Sequence, residues 1–396
     1  MPVNFDLILQ NLTSDPEYRG QIVHVRRLPA REARCGELSV PLDPILEKAL
    51  LATGIERFYI HQSAASDLVG QGKDIVVVTG TASGKTLCYN LPILSDLLAN
   101  PDARALYLFP TKALAQDQLG VLHRWADADP AIAEVLRPAT YDGDTPSQNR
   151  KKIRNSASII LSNPDMLHVG VLPYHPRWAS FLRNLKYVVV DELHTYRGIF
   201  GSNVALVMRR LARVCAHYGA RPRFICASAT VANPGELASR VVGRECEVID
   251  TDGSPRGERL FVFWNPPPLS RDTLARRSAN VEAQELLTHL VRQKIQTIVF
   301  TKARVVAELI YRYAREELER KDKPLAKRVR AYRGGYLPNE RRRIEKALFS
   351  GRLLGVCSTN ALELGIDVGT LDASILVGFP GTIASTWQQA GRAGRK

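Results

Sequence analysis

Short apolar runs alternate with stretches of helical spacing through most of residues 55–254. The runs that read as buried strands cover residues 74–78, 105–110, 157–161, 187–190 and 224–227. Continuous apolar strands separated by helices predict a parallel sheet that is covered on both faces. Ligands bind such sheets at the carboxyl ends of the strands, and a polar cluster follows each run. The pattern therefore predicts an α/β lobe with a binding site at that edge.

A second alternation follows residues 251–257, whose Gly and Pro content is typical of an interdomain linker. Its predicted strands cover residues 260–264, 297–300, 329–332, 353–357 and 373–377, with a helix over 303–320. The predicted fold class is therefore α/β, with two tandem parallel-sheet lobes at residues 55–254 and 255–396.

The first 54 residues have few long apolar runs. They contain Pro29, Pro41 and Pro44 and a basic stretch at 26–31, and only residues 44–53 have helical spacing. We predict a short N-terminal extension at residues 1–54 that is partly irregular and packs on the first lobe.

The composition of the chain limits its class. The chain has 396 residues and is 45% hydrophobic, which is ample for two or three buried cores. It has no apolar run near the ~18 residues of a membrane span and does not open on a secretory signal. Its six cysteines are scattered without a C-x-x-C pair, which argues against a zinc site or disulfide framework. We expect a cytoplasmic, nucleoid-associated protein without membrane partners, or a nuclear one in a eukaryote.

The net charge of +14 is concentrated in the second lobe. Residues 255–396 hold 26 Lys and Arg against 14 Asp and Glu (26 − 14 = +12), whereas residues 1–254 hold 28 against 26 (28 − 26 = +2). A basic lobe attracts polyanions and indicates nucleic acid. A solvated basic surface is the alternative that charge leaves open.

The strongest motif lies between the run at 74–78 and a predicted helix that starts near residue 87. It consists of Thr79, Gly80, Thr81, Ala82, Ser83, Gly84, Lys85 and Thr86. A strand, a loop of small residues, Lys-Thr and a helix form the phosphate-binding arrangement, in which backbone N–H groups and the helix N-terminus face one anion. Lys85 is placed to reach the β- and γ-phosphates, and the Thr86 hydroxyl to bind Mg²⁺.

The motif departs from the strict pattern at Thr79, where Gly is usual. Gly80, one position later, is placed to supply the tight turn instead. An ordinary Gly/Ser turn between a strand and a helix is the alternative reading.

Three further sites carry candidate chemistry. Asp191, at the end of the run at 187–190, is placed to hold Mg²⁺ through water, and the adjacent Glu192 to orient and deprotonate the attacking water, although a helix cap is the other reading. Gln62 is a candidate adenine reader, because an amide can pair with N6 and N7, although most glutamines lie on surfaces. Near the end of the chain, Arg392 and Arg395 are spaced for an arginine finger, or for a basic tail.

The ordered motifs resemble those of superfamily 2 DExH-box helicases. The matching stretches are Gln62, the loop at 79–86, 110–112, 162–165, 191–194, 228–230, 300–302, 359–367 and 388–395. Within the superfamily, the loop and the segments 87–90 and 194–198 are similar to bacterial mitomycin-repair helicases and their fungal RecQ-four-like relatives. That subgroup shares the departure at Thr79.

The resemblance implies two RecA-like lobes with ATP and Mg²⁺ bound between them. It implies that Gln62 reads adenine, that Asp367 contacts the ribose, and that Lys85, Thr86, Asp191 and Glu192 bind and hydrolyse Mg-ATP. It further implies that Gln388, Arg392 and Arg395 complete the site, and that His194, Ser228 and Thr230 couple the lobes. The residues implied along the nucleic-acid strand are Pro110, Thr111, Lys112, Asn163, Pro164, Asp165, Thr301, Lys302 and Thr359. For each of these, a helix cap or turn residue is the alternative.

The family implies an ATP-dependent 3′→5′ DNA helicase or translocase in DNA repair, with single-stranded or duplex DNA as partner. The same engine on RNA, or a nucleic-acid-binding fragment without turnover, are the alternatives that the residues leave open. The chain stops one residue after Arg395. We therefore expect a truncated second lobe and a further four-cysteine metal-binding domain in the full-length protein, as the resemblance implies.

Overall fold

The computed structural model of the chain describes residues 4–270, 274–363 and 371–394. The strands are β1 (Ile22–Leu28), β2 (Cys35–Gly36), β3 (Phe58–Tyr59), β4 (Ile75–Val78), β5 (Arg104–Leu108), β6 (Pro138–Thr140), β7 (Ile159–Ser162), β8 (Leu185–Val190), β9 (Arg223–Ser228), β10 (Glu247–Ile249), β11 (Arg259–Trp264), β12 (Thr297–Phe300), β13 (Val329–Tyr332), β14 (Gly355–Ser358) and β15 (Ala373–Leu376).

The α-helices are α1 (Phe5–Thr13), α2 (Pro44–Ala52), α3 (Ile60–Gly70), α4 (Lys85–Ala99), α5 (Lys112–Ala128), α6 (Pro130–Val135), α7 (Ser147–Ser156), α8 (Pro164–Met166), α9 (Ala179–Arg183), α10 (Gly198–His217), α11 (Pro234–Val242), α12 (Ala279–Arg292), α13 (Arg304–Lys321), α14 (Lys323–Ala326), α15 (Pro338–Phe349) and α16 (Ile383–Ala390). Short 3₁₀ or π-helical turns cover Leu167–Val171, Leu172–Trp178, Leu193–Thr195 and Asn360–Leu362.

The chain divides into two compact units. The first unit is Ala33–Ser254, and the second unit combines Met1–Glu32 with Pro255–Lys396.

The first unit is built on a seven-stranded parallel sheet in the order β10-β4-β9-β8-β5-β7-β6. All four residues of β4 are buried, as are those of β7, because helices cover both faces of the sheet. Val76, Val188 and Phe224 contribute to the core on one face, with Trp178 from the 3₁₀ turn packed among them. The predicted parallel α/β lobe is confirmed.

The second unit contains a four-stranded parallel sheet in the order β13-β14-β12-β15. Leu287 of α12 and Ile310 of α13 pack against Val299 and Val329 of the sheet to form its core. The second predicted parallel lobe is thereby also confirmed.

The predicted strand at residues 260–264 exists, but not in this parallel sheet. It forms β11, which pairs antiparallel with β1 in a separate two-stranded ribbon. An apolar run fixes neither the direction nor the partner of a strand, so this part of the prediction was wrong. The sequence analysis also missed β6 and β10, three-residue edge strands without a continuous apolar run.

We had expected residues 1–54 to pack as one extension on the first lobe, but they divide between the two units. Residues 4–32 belong to the second unit, because the backbone of β1 hydrogen-bonds along β11 from Ile22 to Leu28. Residues 33–54 belong to the first unit, where β2 pairs with β3 and α2 buries Leu46 and Ala49. Among the described residues, no helix combines the length and apolarity needed to cross a bilayer.

Candidate active site

The loop between β4 and α4 has the geometry that its glycine requires. Gly84 precedes the first residue of α4 with φ +78°, a left-handed conformation that side chains rarely adopt. A Cβ at this position would lie 2.5 Å from Nε2 of Gln62. Ala82 is also left-handed, with φ +60°. The loop therefore makes a tight turn directly before a helix N-terminus, which is the backbone arrangement that binds a phosphate.

Thr79, the departure from the usual motif, is tied into the loop by its hydroxyl. Its Oγ1 lies 2.6 Å from Oγ of Ser83, and the Ser83 hydroxyl donates to the carbonyl of Gly80 at 2.9 Å. Since the single proton of Ser83 goes to Gly80, Thr79 is the donor in the first bond. Both side chains are buried. Thr79 thus stabilises the turn through a buried side-chain hydrogen bond to Ser83, which a glycine could not form.

Lys85 is held across the loop by two backbone carbonyls. Its Nζ donates to the carbonyl of Thr79 at 2.9 Å and to that of Gly80 at 2.7 Å. Burial lowers the pKa of Lys85, and the nearby carboxylates of Glu192 and Asp191 oppose that shift. A phosphate in the loop would favour the charged ammonium further, because an adjacent anion stabilises a buried cation.

Gln62 anchors the start of α3 to the loop. Its Oε1 accepts from the N–H of Tyr59 at 2.9 Å, and its Nε2 donates to the carbonyl of Gly84 at 3.1 Å. The amide therefore lies directly beside the phosphate loop. Its role as an adenine reader stays a prediction.

His61 is a site residue that the sequence analysis missed. Its ring is buried, with Nε2 2.9 Å from the carbonyl of Ser83 and Nδ1 3.2 Å from the N–H of Gly253. Since Nδ1 accepts that N–H, the ring proton lies on Nε2 and is donated to Ser83. His61 thus joins the phosphate loop to the last residues of the first unit. No motif marks a histidine with this role in the sequence.

The segment that His61 contacts also reaches the loop through Asp252. The N–H of Gly80 donates to Oδ2 of Asp252 at 3.4 Å, and the hydroxyl of Ser254 donates to its Oδ1 at 2.6 Å. The N–H of Arg34 donates to the carbonyl of Gly253 at 2.8 Å. A Cβ at Gly253 would lie 2.5 Å from the carbonyl oxygen of Arg34, so this close approach requires glycine.

Asp191 and Glu192 follow β8 at the same edge of the sheet. Oδ1 of Asp191 accepts the N–H of Glu192 at 2.7 Å, and Oδ2 accepts the hydroxyl of Tyr89 at 3.1 Å. Burial raises the pKa of Asp191, and the neighbouring Glu192 carboxylate raises it further. Glu192 itself has φ +51°, an uncommon left-handed conformation that sends the two adjacent carboxylates in different directions.

These residues fit a magnesium ion. Among the described residues there is no cluster of three or more His, Cys, Asp or Glu side chains that could hold a metal. Magnesium does not need one, because it keeps several waters and takes one or two protein oxygens together with substrate phosphates. The motif predicts Thr86, in the first turn of α4, and Asp191 as these oxygens, and α4 contacts Asp191 through the hydroxyl of Tyr89. A divalent cation there would also stabilise the charged form of Asp191.

His194 lies between Glu192 and the end of β9. Its Nδ1 accepts the N–H of Ala229 at 3.2 Å, and Oε2 of Glu192 approaches the same atom at 3.5 Å. An atom that accepts an N–H carries no proton of its own, so this approach is a proximity and not an ion pair. Ser228 is buried and donates to the carbonyl of Ala229, whereas Thr230 is exposed. Their coupling role stays a prediction.

The residues predicted to follow a nucleic-acid strand in the first unit lie at helix starts. Thr111 caps α5 by accepting the N–H of Leu114 at 3.4 Å, and Asn163 caps α8 by accepting the N–H of Met166 at 2.8 Å. These bonds are the helix-cap role left open by the sequence.

The neighbours of these two caps differ in exposure. The exposed Lys112 pairs with Asp144 at 2.7 Å. Pro110 is half-buried, Pro164 is buried and Asp165 is exposed. A phosphate that binds Lys112 would therefore have to displace the Asp144 carboxylate.

In the second unit, the predicted residues also lie after strands. Thr301 is largely buried and donates to the carbonyl of Ala303 at 3.0 Å, Lys302 is exposed, and Thr359 is buried at the end of β14. Their contacts to nucleic acid stay predictions.

The C-terminal motif is packed into the second unit. Gln388 is buried, and Arg392 is buried with Nη2 donating to the carbonyl of Glu363 at 2.6 Å. Gln389 donates to the carboxylate of the same glutamate at 2.8 Å. Arg392 therefore has a bond within its own unit, which the arginine-finger prediction did not anticipate. Asp367 and Arg395 lie outside the described residues.

Comparisons with known proteins identify this arrangement. The DEAD/DEAH box helicase family matches residues 59–237, and the helicase conserved C-terminal domain matches residues 282–396. An uncharacterized ATP-dependent helicase of Bacillus subtilis, YprA, is 48% identical over 98% of this chain and 51% of its own length. ATP-dependent helicase hrq1 of Schizosaccharomyces pombe is 42% identical over 98% of this chain and 37% of its own length.

A solved structure is similar over the whole chain. The DUF1998 helicase MrfA, bound to DNA and AMPPNP, superimposes with a TM-score of 0.92 at 46% identity, covering 100% of this chain and 54% of MrfA. The chain thus spans about half the length, or less, of the relatives it matches. The resemblance stated from the motifs is confirmed. The chain belongs to the superfamily 2 DEAD/DEAH-box helicases, a family of ATP-dependent enzymes, and is related to MrfA and Hrq1.

Proposed function

We propose that this chain is the motor of a DNA helicase or translocase that hydrolyses Mg-ATP and moves along one strand. The observation that carries the proposal is the half-buried Lys85 across the loop, with Asp191 and Glu192 at the adjacent strand end. Phosphoryl transfer needs positioning and charge stabilisation more than covalent chemistry, and these three side chains supply both.

The proposed roles follow the motifs. The loop N–H groups and Lys85 hold the phosphates, while Thr86 and Asp191 hold Mg²⁺, which neutralises charge on the transferred phosphoryl group. Glu192 orients and deprotonates the attacking water. The resemblance also assigns Gln388, Arg392 and Arg395 to ATP hydrolysis. Of the two arginines, Arg395 is the stronger candidate for the finger, because Arg392 already donates to Glu363.

The substrate is proposed to be DNA because MrfA has been solved bound to DNA. The excess of +12 in residues 255–396 supports a polyanionic partner. Backbone contacts of the kind expected at Thr111, Asn163 and Thr301 position a strand without reading its sequence.

The direction is proposed to be 3′→5′ and the cellular role to be DNA repair, both from the resemblance to the mitomycin-repair subgroup. Partial duplexes with a 3′ or a 5′ single-stranded tail test the direction, since only the 3′-tailed substrate should be unwound. Equal unwinding of both would contradict it. Sensitivity of a disruption strain to a DNA-crosslinking agent tests the role in repair.

Binding of fluorescent DNA and RNA strands of equal length tests the substrate. With AMPPNP present, we expect tighter binding of DNA, and the same preference for DNA over RNA in a comparison of strand-stimulated ATP hydrolysis. A preference for RNA in both assays would indicate that the motor acts on RNA. Binding without any hydrolysis would reduce the chain to a nucleic-acid-binding module.

A further inference from the structure

Tyr89 lies one helical turn after Thr86 in α4, with its hydroxyl at the carboxylate of Asp191. The side chain is fully buried. Its Oη lies 3.1 Å from Oδ2 of Asp191. The sequence analysis gave Tyr89 no chemical role.

The direction of this bond follows from the groups involved. An ionised carboxylate only accepts, so the Tyr89 proton is donated to Asp191. A phenol has one proton, so this bond uses all of its donor capacity. Tyr89 therefore joins α4, the helix that follows the phosphate loop, to the proposed magnesium ligand.

This bond has a consequence for a cation. A metal ion needs an oxygen lone pair of Asp191 that is held in one direction. The bond from Tyr89 to Oδ2 and the bond from the Glu192 N–H to Oδ1 together fix the plane of the carboxylate. The Tyr89 hydroxyl therefore orients this ligand before any metal arrives.

We propose that Tyr89 is a positioning residue for the magnesium–nucleotide complex. It acts through Asp191 and does not touch the metal or the phosphates itself. Such outer partners commonly change metal affinity by ~10–100-fold when they are removed. The inference rests on the proposed function, because it assigns a role at the same site.

The competing explanation is that Tyr89 is an ordinary core tyrosine, and the structure supplies a matched control. Tyr107 of β5 is also fully buried, and its ring meets that of Tyr89 edge to face with centroids 5.3 Å apart. Its hydroxyl donates to Oδ1 of Asn90 at 2.9 Å. Tyr89→Phe and Tyr107→Phe therefore remove the same atom from the same aromatic pair, but only one of them at the proposed metal site.

The experiment measures binding, without turnover. A fluorescent, non-hydrolysable ATP analogue is titrated into the wild-type chain and both variants, with Mg²⁺ and with excess EDTA. Tyr89→Phe should weaken binding in Mg²⁺ about tenfold or more and raise the Mg²⁺ concentration for half-maximal binding by a similar factor. Binding in EDTA should change less than about twofold, and Tyr107→Phe should follow the wild type in both conditions.

Three results would overturn the inference. They are an unchanged Mg²⁺ dependence in Tyr89→Phe, an equal loss in Tyr107→Phe, and an equal loss of Tyr89→Phe binding in EDTA. A wild-type chain that binds no Mg-nucleotide would instead contradict the proposed function, so the two failures are distinguishable.

A second variant removes the dependence on one substitution. Asp191→Asn removes the carboxylate that accepts the Tyr89 bond and should lose the Mg²⁺ enhancement by itself. If Tyr89 acts through Asp191, then adding Tyr89→Phe to Asp191→Asn costs clearly less than Tyr89→Phe costs alone. Fully multiplicative losses would contradict the role.

Discussion

Replacing His61 by alanine should destabilise the phosphate loop, although the substitution replaces no residue that is proposed to contact the nucleotide. His61 bonds to the carbonyl of Ser83 at 2.9 Å and to the N–H of Gly253 at 3.2 Å, and it is buried. Each buried group left without a partner costs about 1–3 kcal/mol, so the loss of two such bonds destabilises this part of the first unit by roughly 2–6 kcal/mol.

Part of that free energy should appear as weaker nucleotide binding. The loop must adopt one backbone arrangement to surround a phosphate, and His61 stabilises that arrangement at Ser83. If nucleotide binding must supply about half of this free energy to order the loop, the dissociation constant of an ATP analogue rises about 5–140-fold, since 1.4 kcal/mol is about tenfold.

Titration of a fluorescent ATP analogue measures this change. His61→Gln is the informative partner variant, because an amide can both donate to Ser83 and accept from Gly253, and it should recover at least about half of the lost binding free energy. His123→Ala, at an exposed histidine of α5, serves as the control. Wild-type affinity in His61→Ala, or an equal loss in His61→Ala and His61→Gln, would refute the reasoning.

Three further predictions concern the same account. Lys85→Ala should lower ATP turnover by ~10²–10³-fold in a steady-state hydrolysis assay, a loss of about 3–4 kcal/mol of transition-state stabilisation. Lys73→Ala, at an exposed lysine, is the control and should stay near the wild-type rate. A near-normal rate for Lys85→Ala would contradict the loop assignment. Gly253→Ala should lower the thermal midpoint of unfolding, because its Cβ would lie 2.5 Å from the Arg34 carbonyl oxygen. Gly20→Asn is the control, because a Cβ at Gly20 meets no atom within 4 Å and asparagine tolerates its φ of +80° better than most residues do. Equal midpoints for both variants would contradict the packing. Single-strand binding should weaken with salt by ~0.7 log units per log unit for each phosphate neutralised, and a flat response in a fluorescence titration would remove the argument from the basic second lobe.

The parallel sheets could be predicted because their strands carry a local signal. β4 and β12 lie in the apolar runs that predicted them, and all four residues of each are buried, as expected for a strand covered on both faces. The position of the phosphate loop could be predicted for the same reason, because Gly84, Lys85 and Thr86 are adjacent in the chain. Short-range pattern and short-range geometry coincide in these elements.

The rest depended on contacts between distant parts of the chain. β11 has the apolar run of a sheet strand, and nothing local shows that its partner is β1, more than two hundred residues earlier. His61 and Tyr89 reach Gly253 and Asp191 in the same way, over long separations in sequence. A lone histidine and a tyrosine inside an apolar helix give no periodic or motif signal, so only the fold identifies their partners.

Strand-dependent ATP hydrolysis by the intact chain tests the central claim most directly. The rate is measured with Mg-ATP alone and again with saturating single-stranded DNA. The account predicts hydrolysis that rises clearly when the strand is added and that disappears when EDTA removes the magnesium. The same rate with and without DNA, or a rate that EDTA leaves unchanged, would contradict it.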